Sequence, residues 1–350
     1  KIAADKAIAP EFLKSNFEHF LTEAIDRGLI IEQGKEKEPI KEIVSEYPKD
    51  IWVHVTNKCN LSCPFCYSNS RLDGKYELDY KKVLEFLSQI PKEQRDSILI
   101  SGGEPFLYKD LPQFTQALNG MGFPNIVVIT NGTVGEEVYK DVVPNIHTLQ
   151  ISVDGTKAEV HDVTRGKGSF DRIINKFSLA KDLGVKRLMI SFTPTKFNIT
   201  DLANIPEFAV ENRIDSIHIT RLLPVGRGTL NKKDITPEED QYSESIKGFI
   251  NNIQNVNRKI HYKRETAEFF LEEEEKTQYM GLTMGADQSE KVLFRNKRMN
   301  CSLGCNTLSI SYDGYFYPCP SLHHDPHKLG SLEDPNLNNI IQYSHKLVDG

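Results

Sequence analysis

The chain has 350 residues, 39% hydrophobic and 26% charged: room for about two domains and for a sizeable core that needs no disulfide staples. No run of ~18 apolar residues occurs, which excludes a membrane-spanning helix, and a formal net charge of -6 argues against a nucleic-acid binder or a basic membrane-surface patch. The opening Lys-Ile-Ala-Ala-Asp lacks a methionine and an apolar h-region, which predicts no signal peptide, a cytoplasmic location and a longer gene product that begins upstream.

In chain order, Leu13, Phe17, Phe20, Leu21, Ala24 and Ile25 recur at helical spacing, and Gly28 stops that helix before Leu29-Ile30-Ile31. Residues 32–49 are charged and proline-punctuated and read as a linker, so 1–49 form an N-terminal helix and linker. From Ile51 short apolar runs alternate with helical stretches. Strands are predicted at 51–55, 97–100, 125–130, 148–153, 187–192 and 216–220, with helices near 79–89, 110–121, 136–142, 170–183 and 199–212. That alternation predicts an α/β fold over residues 50–230: a partial (β/α)6 TIM barrel, curled and open, built from right-handed βαβ units. Ligands then belong at the carboxyl ends of the strands. Thr236-Pro237-Glu238-Glu239 opens a helix predicted to reach about Asn255, and the acids Glu272 to Glu275 read as a solvated helix face. Asp313-Gly314 between alternating residues predicts a hairpin over 309–317. Residues 231–350 thus supply bridging helices and a C-terminal unit.

The six cysteines fall in two triplets, Cys59, Cys63 and Cys66, and Cys301, Cys305 and Cys319. A disulfide framework spreads its cysteines through a small secreted domain, so two tight triplets point to two metal sites. The first follows the first strand, where a barrel places a catalytic metal. A structural zinc takes four ligands; three thiolates on an iron–sulfur cubane leave one iron open to a substrate or cosubstrate.

The Cx3CxxC loop Cys59-Asn-Leu-Ser-Cys63-Pro-Phe-Cys66 resembles that of the radical S-adenosylmethionine (SAM) superfamily, where the three cysteines hold a [4Fe–4S] cluster and SAM chelates the fourth iron. The resemblance implies that an electron from the cluster cleaves SAM to a 5′-deoxyadenosyl radical that abstracts hydrogen. Phe65 stands where the family has an aromatic. Ser101-Gly102-Gly103-Glu104-Pro105 resembles the segment that receives the SAM amino group; glycine lets backbone approach a ligand and a carboxylate pairs with an ammonium. Thr130-Asn131-Gly132, Ser152-Val-Asp154-Gly155 and Leu223 of Leu222-Leu-Pro-Val-Gly-Arg-Gly228 end later strands, and the resemblance places them around SAM. Arg165 sits where relatives hold the SAM carboxylate, a role suited to an always-charged, bidentate guanidinium.

The spacing of Cys301, Cys305, Gly314 and Cys319 resembles the start of a SPASM or twitch extension, which holds one or more auxiliary [4Fe–4S] clusters. The later cysteines of a full SPASM pattern are absent, so the fourth ligand is open: another cysteine, one of His323, His324 and His327, or the substrate. A zinc knuckle is the plain alternative, and solvated loop positions the plain role for the histidines. Enzymes with this extension mostly modify peptides. The resemblance therefore implies a peptide maturase that forms a thioether or carbon–carbon crosslink in a ribosomally made precursor peptide and draws electrons from a flavodoxin- or ferredoxin-type donor. The helix and Leu29-Ile30-Ile31 resemble the end of a peptide-recognition domain, which captures a leader as an added strand. The alternatives are a sulfatase-maturing, formylglycine-forming enzyme, a small-molecule twitch enzyme or, in another class, a zinc-binding interaction module with a degenerate barrel. No acid or base is assigned; Tyr67 and Tyr262 are substrate-side candidates, with a packed aromatic the plainer account of each.

Overall fold

The computed structural model describes residues 47–220, 222–223, 225–266, 281–284 and 306–342. The six predicted strands form within a residue of their expected bounds: β1 (Asp50–His54), β2 (Ser97–Ser101), β3 (Asn125–Thr130), β4 (Thr148–Ser152), β5 (Arg187–Phe192) and β6 (Ser216–Ile219). They pair in parallel in chain order, a partial barrel. Strand parity divides their residues between two environments. Ile51, Val53, Ile98, Ile100, Ile126, Val128, Leu149, Ile151, Leu188, Ile190, Ile217 and Ile219 are all buried in one core beneath the helices. The alternate positions Trp52, Ser101, Gln150, Ser152, Ser191 and His218 line a cavity inside the barrel.

The helices cover the outer face. They are α1 (Tyr80–Ser88), α2 (Leu111–Met121), α3 (Glu136–Val142), α4 (Ala158–Arg165), α5 (Ser169–Asp182), α6 (Ile205–Glu211) and the long α7 (Glu239–Thr266), with single-turn helices at Arg227–Leu230 and Lys232–Ile235. Asp79 caps α1 by accepting from the Lys81 N–H, and α2 stops at Gly122, whose φ of 80° suits glycine.

Four features depart from the expectation. The helix expected over 199–212 divides into a 3-10 stretch, Ile199–Asn204, and α6, because Pro206 supplies no N–H at the first turn of α6. The helix expected to end near Asn255 runs on to Thr266. The short helix α4 went unpredicted although it carries His161 and Arg165. The strand β7 (Gly281–Met284) adds in parallel to β6.

The expected C-terminal hairpin is present as β8 (Thr307–Ile310) and β9 (Tyr315–Tyr317), with Gly314 at φ 83° in its turn. Its placement is a finding: β8 lies parallel beside β1, and β10 (Gly330–Ser331) closes the edge, giving one ten-stranded sheet in the order β10-β9-β8-β1-β2-β3-β4-β5-β6-β7. The described residues belong to one compact unit. The expected N-terminal helix, the acidic run 272–275, Cys301 and Cys305 lie outside the described residues.

Candidate active site

The loop leaving β1 carries Cys59, Cys63 and Cys66 along one wall of a cavity of about 210 Å³ at the carboxyl ends of the strands. Phe65, Gly102, Gly103, Thr130, Asn131, Ser152, Arg165 and Leu223 line the same cavity, so it gathers most of the residues singled out in the sequence. Tyr67 lines it too, its hydroxyl 3.1 Å from His54 Nε2 and 3.4 Å from Ser101 Oγ.

Glu104 and Asp154 stand behind that wall, both wholly buried. The Glu104 carboxylate accepts from the Phe106 N–H at 3.0 Å, the Thr130 hydroxyl at 2.7 Å and the Asn131 N–H at 2.7 Å. Burial nonetheless pushes its pKa up to about 7, against those donors. Its geometry is that of a post that fixes Thr130 and Asn131. Asn131 in turn donates to Asn60 Oδ1 at 2.8 Å and points the same amide at Cys59 Sγ, 3.9 Å away. Asp154 accepts from the Thr193 N–H at 2.8 Å and from Arg165 Nε, so it turns the guanidinium toward the cavity, where Arg165 lies 5.1 Å over the Phe65 ring. His161 on α4 accepts the Asp154 N–H at Nδ1, and burial lowers its pKa to about 4.

The glycines of the second motif serve a backbone crossing. A Cβ at Gly102 would meet Thr56 O at 2.4 Å, and one at Gly103 would meet Lys58 O at 2.1 Å, so only glycine lets β2 pass beneath the cysteine loop. Sequence reasoning missed the matching clamp above it. Gly226, at φ 57°, brings its backbone within what would be 2.4 Å of Tyr67 O for a Cβ. Arg227 donates from its backbone to Cys66 O at 3.0 Å, from Nε to Cys63 O at 2.9 Å and from Nη1 to Ser70 O at 2.8 Å. The signal was the Gly226-Arg227-Gly228 that closes the Leu222–Gly228 stretch.

The donor set fits an iron–sulfur cluster. Burial pushes the Cys59 thiol up to about 12 and raises that of Cys63, so these sulfurs ionise only with a cation to neutralise them. Hydrogen-bonding groups already face them: Leu61 N–H stands 3.5 Å from Cys59 Sγ and Ser68 Oγ 3.3 Å from Cys66 Sγ, the contacts that tune cluster thiolates. Among the described residues no three His, Cys, Asp or Glu side chains converge on a single ion. Of the second triplet, Cys319 follows β9. Nearby, His323 Nε2 lies 2.8 Å from Ser309 Oγ, and its ring packs 4.6 Å from Tyr317 and 4.5 Å from His54; His324 is exposed.

The family model of the Radical SAM superfamily matches residues 53–209, a span from β1 to α6 that carries most of the residues lining this cavity. That span resembles a radical SAM core. Curated relatives of the chain include a probable GTP 3′,8-cyclase of Saccharolobus islandicus, 26% identical over 218 residues, 61% of this chain and 69% of the relative. Another, from Sulfurisphaera tokodaii, is 29% identical over 182 residues, 51% of this chain and 58% of that protein. Among solved structures, Streptococcus suis SuiB bound to precursor peptide SuiA matches with a TM-score of 0.63 at 17% identity, over 98% of this chain and 80% of that one. Native anSMEcpe with bound AdoMet matches at 0.62 and 17%, over 85% and 82%. These structural likenesses bear on the fold. The radical SAM family that this span matches implies SAM and a [4Fe–4S] cluster, and no helix among the described residues is long and apolar enough to cross a membrane.

Proposed function

We propose that this radical SAM enzyme modifies a ribosomally made precursor peptide, forming a thioether or carbon–carbon crosslink by hydrogen abstraction. The observation that carries the reading is the charge of the cavity wall. Its cations among the described residues are Arg165 and Arg227. Asp154 neutralises the first, and the carbonyls of Cys63 and Ser70 engage the second. His218, also on the wall, is held neutral by burial, its pKa near 4. A triphosphate needs several unspent cations or a nest of backbone donors; a neutral polar wall of Gln150, Ser191, Thr193 and Thr220 suits peptide backbone and uncharged side chains.

Cys59, Cys63 and Cys66 hold the cluster. Gly102, Gly103, Thr130, Asn131, Ser152 and Leu223 surround SAM, with Phe65 beneath Arg165 and Arg165 on the SAM carboxylate. Glu104 and Asp154 position these from behind. When bound, cluster and SAM together supply a carbon-centred radical. Cys301, Cys305 and Cys319 hold an auxiliary cluster in a SPASM/twitch-like unit, residues 1–49 contribute to peptide recognition, and a flavodoxin- or ferredoxin-type donor supplies the electron.

A nucleotide substrate is the second reading, favoured by the names of the archaeal relatives. Anaerobic reconstitution with dithionite and SAM separates the two. Short cysteine-containing peptides encoded beside the gene are expected to raise 5′-deoxyadenosine formation and to lose hydrogens two at a time by mass spectrometry, with GTP inert. Consumption of GTP with no response to any such peptide overturns the proposal.

A further inference from the structure

The strand residues placed around SAM use the upper part of the central cavity. Gly103, Asn131 and Ser152 stand at or just past the ends of β2, β3 and β4. Two residues earlier on the same strands, one inward rung and roughly 7 Å deeper, the lining continues with Ser101, Ile129 and Gln150. Trp52 lies a rung deeper again, because it pairs with Leu99, two residues before Ser101. Trp52, Ile129 and Gln150 have no part in holding the cluster or SAM.

These deep rungs have a chemistry of their own. Trp52 is the one tryptophan of the chain. Its neighbours Ile51 and Val53 turn into the core beneath the helices, which leaves its ring inside the barrel. A barrel interior is ordinarily filled by layers of packed side chains, yet Trp52, Ile129 and Gln150 all stay partly exposed, so they present surface to the cavity. Neutral hydrogen-bonding groups stand at the same depth. The Tyr67 hydroxyl lies 3.4 Å from Ser101 Oγ, and Gln150 is in register with Ile129 on the adjacent strand. Among the described residues the charged lining is Arg165 and Arg227, which Asp154 and the loop carbonyls engage. An aromatic face beside an aliphatic one, edged by neutral donors and acceptors, is the lining of a pocket for a ring with a polar edge.

We infer that Trp52, Ile129 and Gln150 form the subsite for the substrate side chain presented to SAM, and that this subsite takes an uncharged aromatic side chain of the peptide, its ring against Trp52 and its polar edge toward Gln150 and Ser101. The inference deepens the peptide reading and rests on it. Trp52 acts here as a specificity residue: it selects which side chain reaches the upper rung.

The test uses reconstituted, SAM-loaded holoenzyme with the cluster left oxidised, so that binding is read without turnover. The probes are the N-acetyl amides of tyrosine, leucine and lysine, and GTP, each measured by calorimetry against wild type, Trp52→Ala and Trp52→Phe. Tyrosine amide is expected to bind roughly 10-fold more tightly than leucine or lysine amide. Trp52→Ala is expected to erase that preference and Trp52→Phe to keep most of it, with SAM affinity and the cluster band near ~400 nm held in both. A wild type that ranks the three amides alike overturns the inference with no variant needed. A tyrosine preference that survives Trp52→Ala overturns it too, as does a Trp52→Ala that loses SAM affinity with its amide ranking intact. GTP that binds more tightly than every amide and raises 5′-deoxyadenosine on reduction overturns the peptide reading itself, a result told apart from a mere loss of ranking among the amides.

Discussion

The two sides of the central cavity are built on different principles. On the cysteine-loop side, polar atoms are committed to other protein atoms: Glu104 to Thr130 and Asn131, Asp154 to Arg165 and Thr193, Arg227 to the carbonyls of Cys63 and Ser70. On the β4–β6 side the lining comes from strand parity, with Gln150, Ser152, Ser191 and His218 at inward positions of a regular ladder. A wall whose bonds are committed holds one geometry for one ligand. A wall made by parity can change its chemistry one residue at a time without loosening the barrel.

Replacing any one of Cys59, Cys63 or Cys66 with alanine has the largest expected effect: loss of the cluster band near ~400 nm and of SAM cleavage, read by absorption and by 5′-deoxyadenosine formation. Asp154→Asn comes next. It leaves Arg165 buried without its counter-charge and is expected to cost about 3–5 kcal/mol in chemical unfolding and to weaken SAM binding by calorimetry. Gly226→Ala forces a Cβ onto the Tyr67 and Cys66 carbonyls at φ 57°, an expected loss of about 1–3 kcal/mol accompanied by lower iron content.

The pH dependence of the metal-free protein gives a subtler contrast. Burial holds the folded pKa of His161, His218 and His323 near 4, against an ordinary 6.5. Between those values the unfolded chain binds more protons, so stability falls as pH drops from 6.5 to 4. Glu104, raised from 4.5 to about 7, and Asp50, also raised by burial, pull the other way, but two carboxylates oppose five histidines, since burial lowers His54 and His147 too. The thermal midpoint is expected to fall on acidification, and His161→Asn, which keeps an acceptor for the Asp154 N–H, to flatten that slope. The smallest effect is expected across the cavity. Gln150→Leu should shift stability by less than about 1 kcal/mol and leave SAM affinity unchanged, while altering the ratio of product to 5′-deoxyadenosine. A stability loss as large as that of Asp154→Asn would erase the distinction between the two sides.

Much of this was legible in the sequence because its cause is local. The strands are short apolar runs between turn signals, the cysteine spacing lies within eight residues, and the strand-end motifs fall where a barrel presents ligand contacts. What was not legible depends on distant chain. Whether Glu104 and Asp154 turn toward the cavity or behind it is set by donors at Asn131 and Thr193, 27 and 39 residues on. Arg227 reaches Cys63 across 164 residues. Helix α4 is eight residues long and buries only His161 and Thr164, too little apolar periodicity to announce itself.

The pairing of β8 with β1 has a consequence for how the molecule is made. From His54 to Thr307 the chain runs roughly 250 residues, so at about 5–20 residues/s a ribosome leaves the outer edge of β1 without its partner for roughly 10–50 s. An uncovered edge strand invites pairing with other chains. The nascent barrel therefore has a window in which a chaperone, or the machinery that loads its metal, can reach β1 and the cysteine loop it feeds before the last hairpin shuts that side.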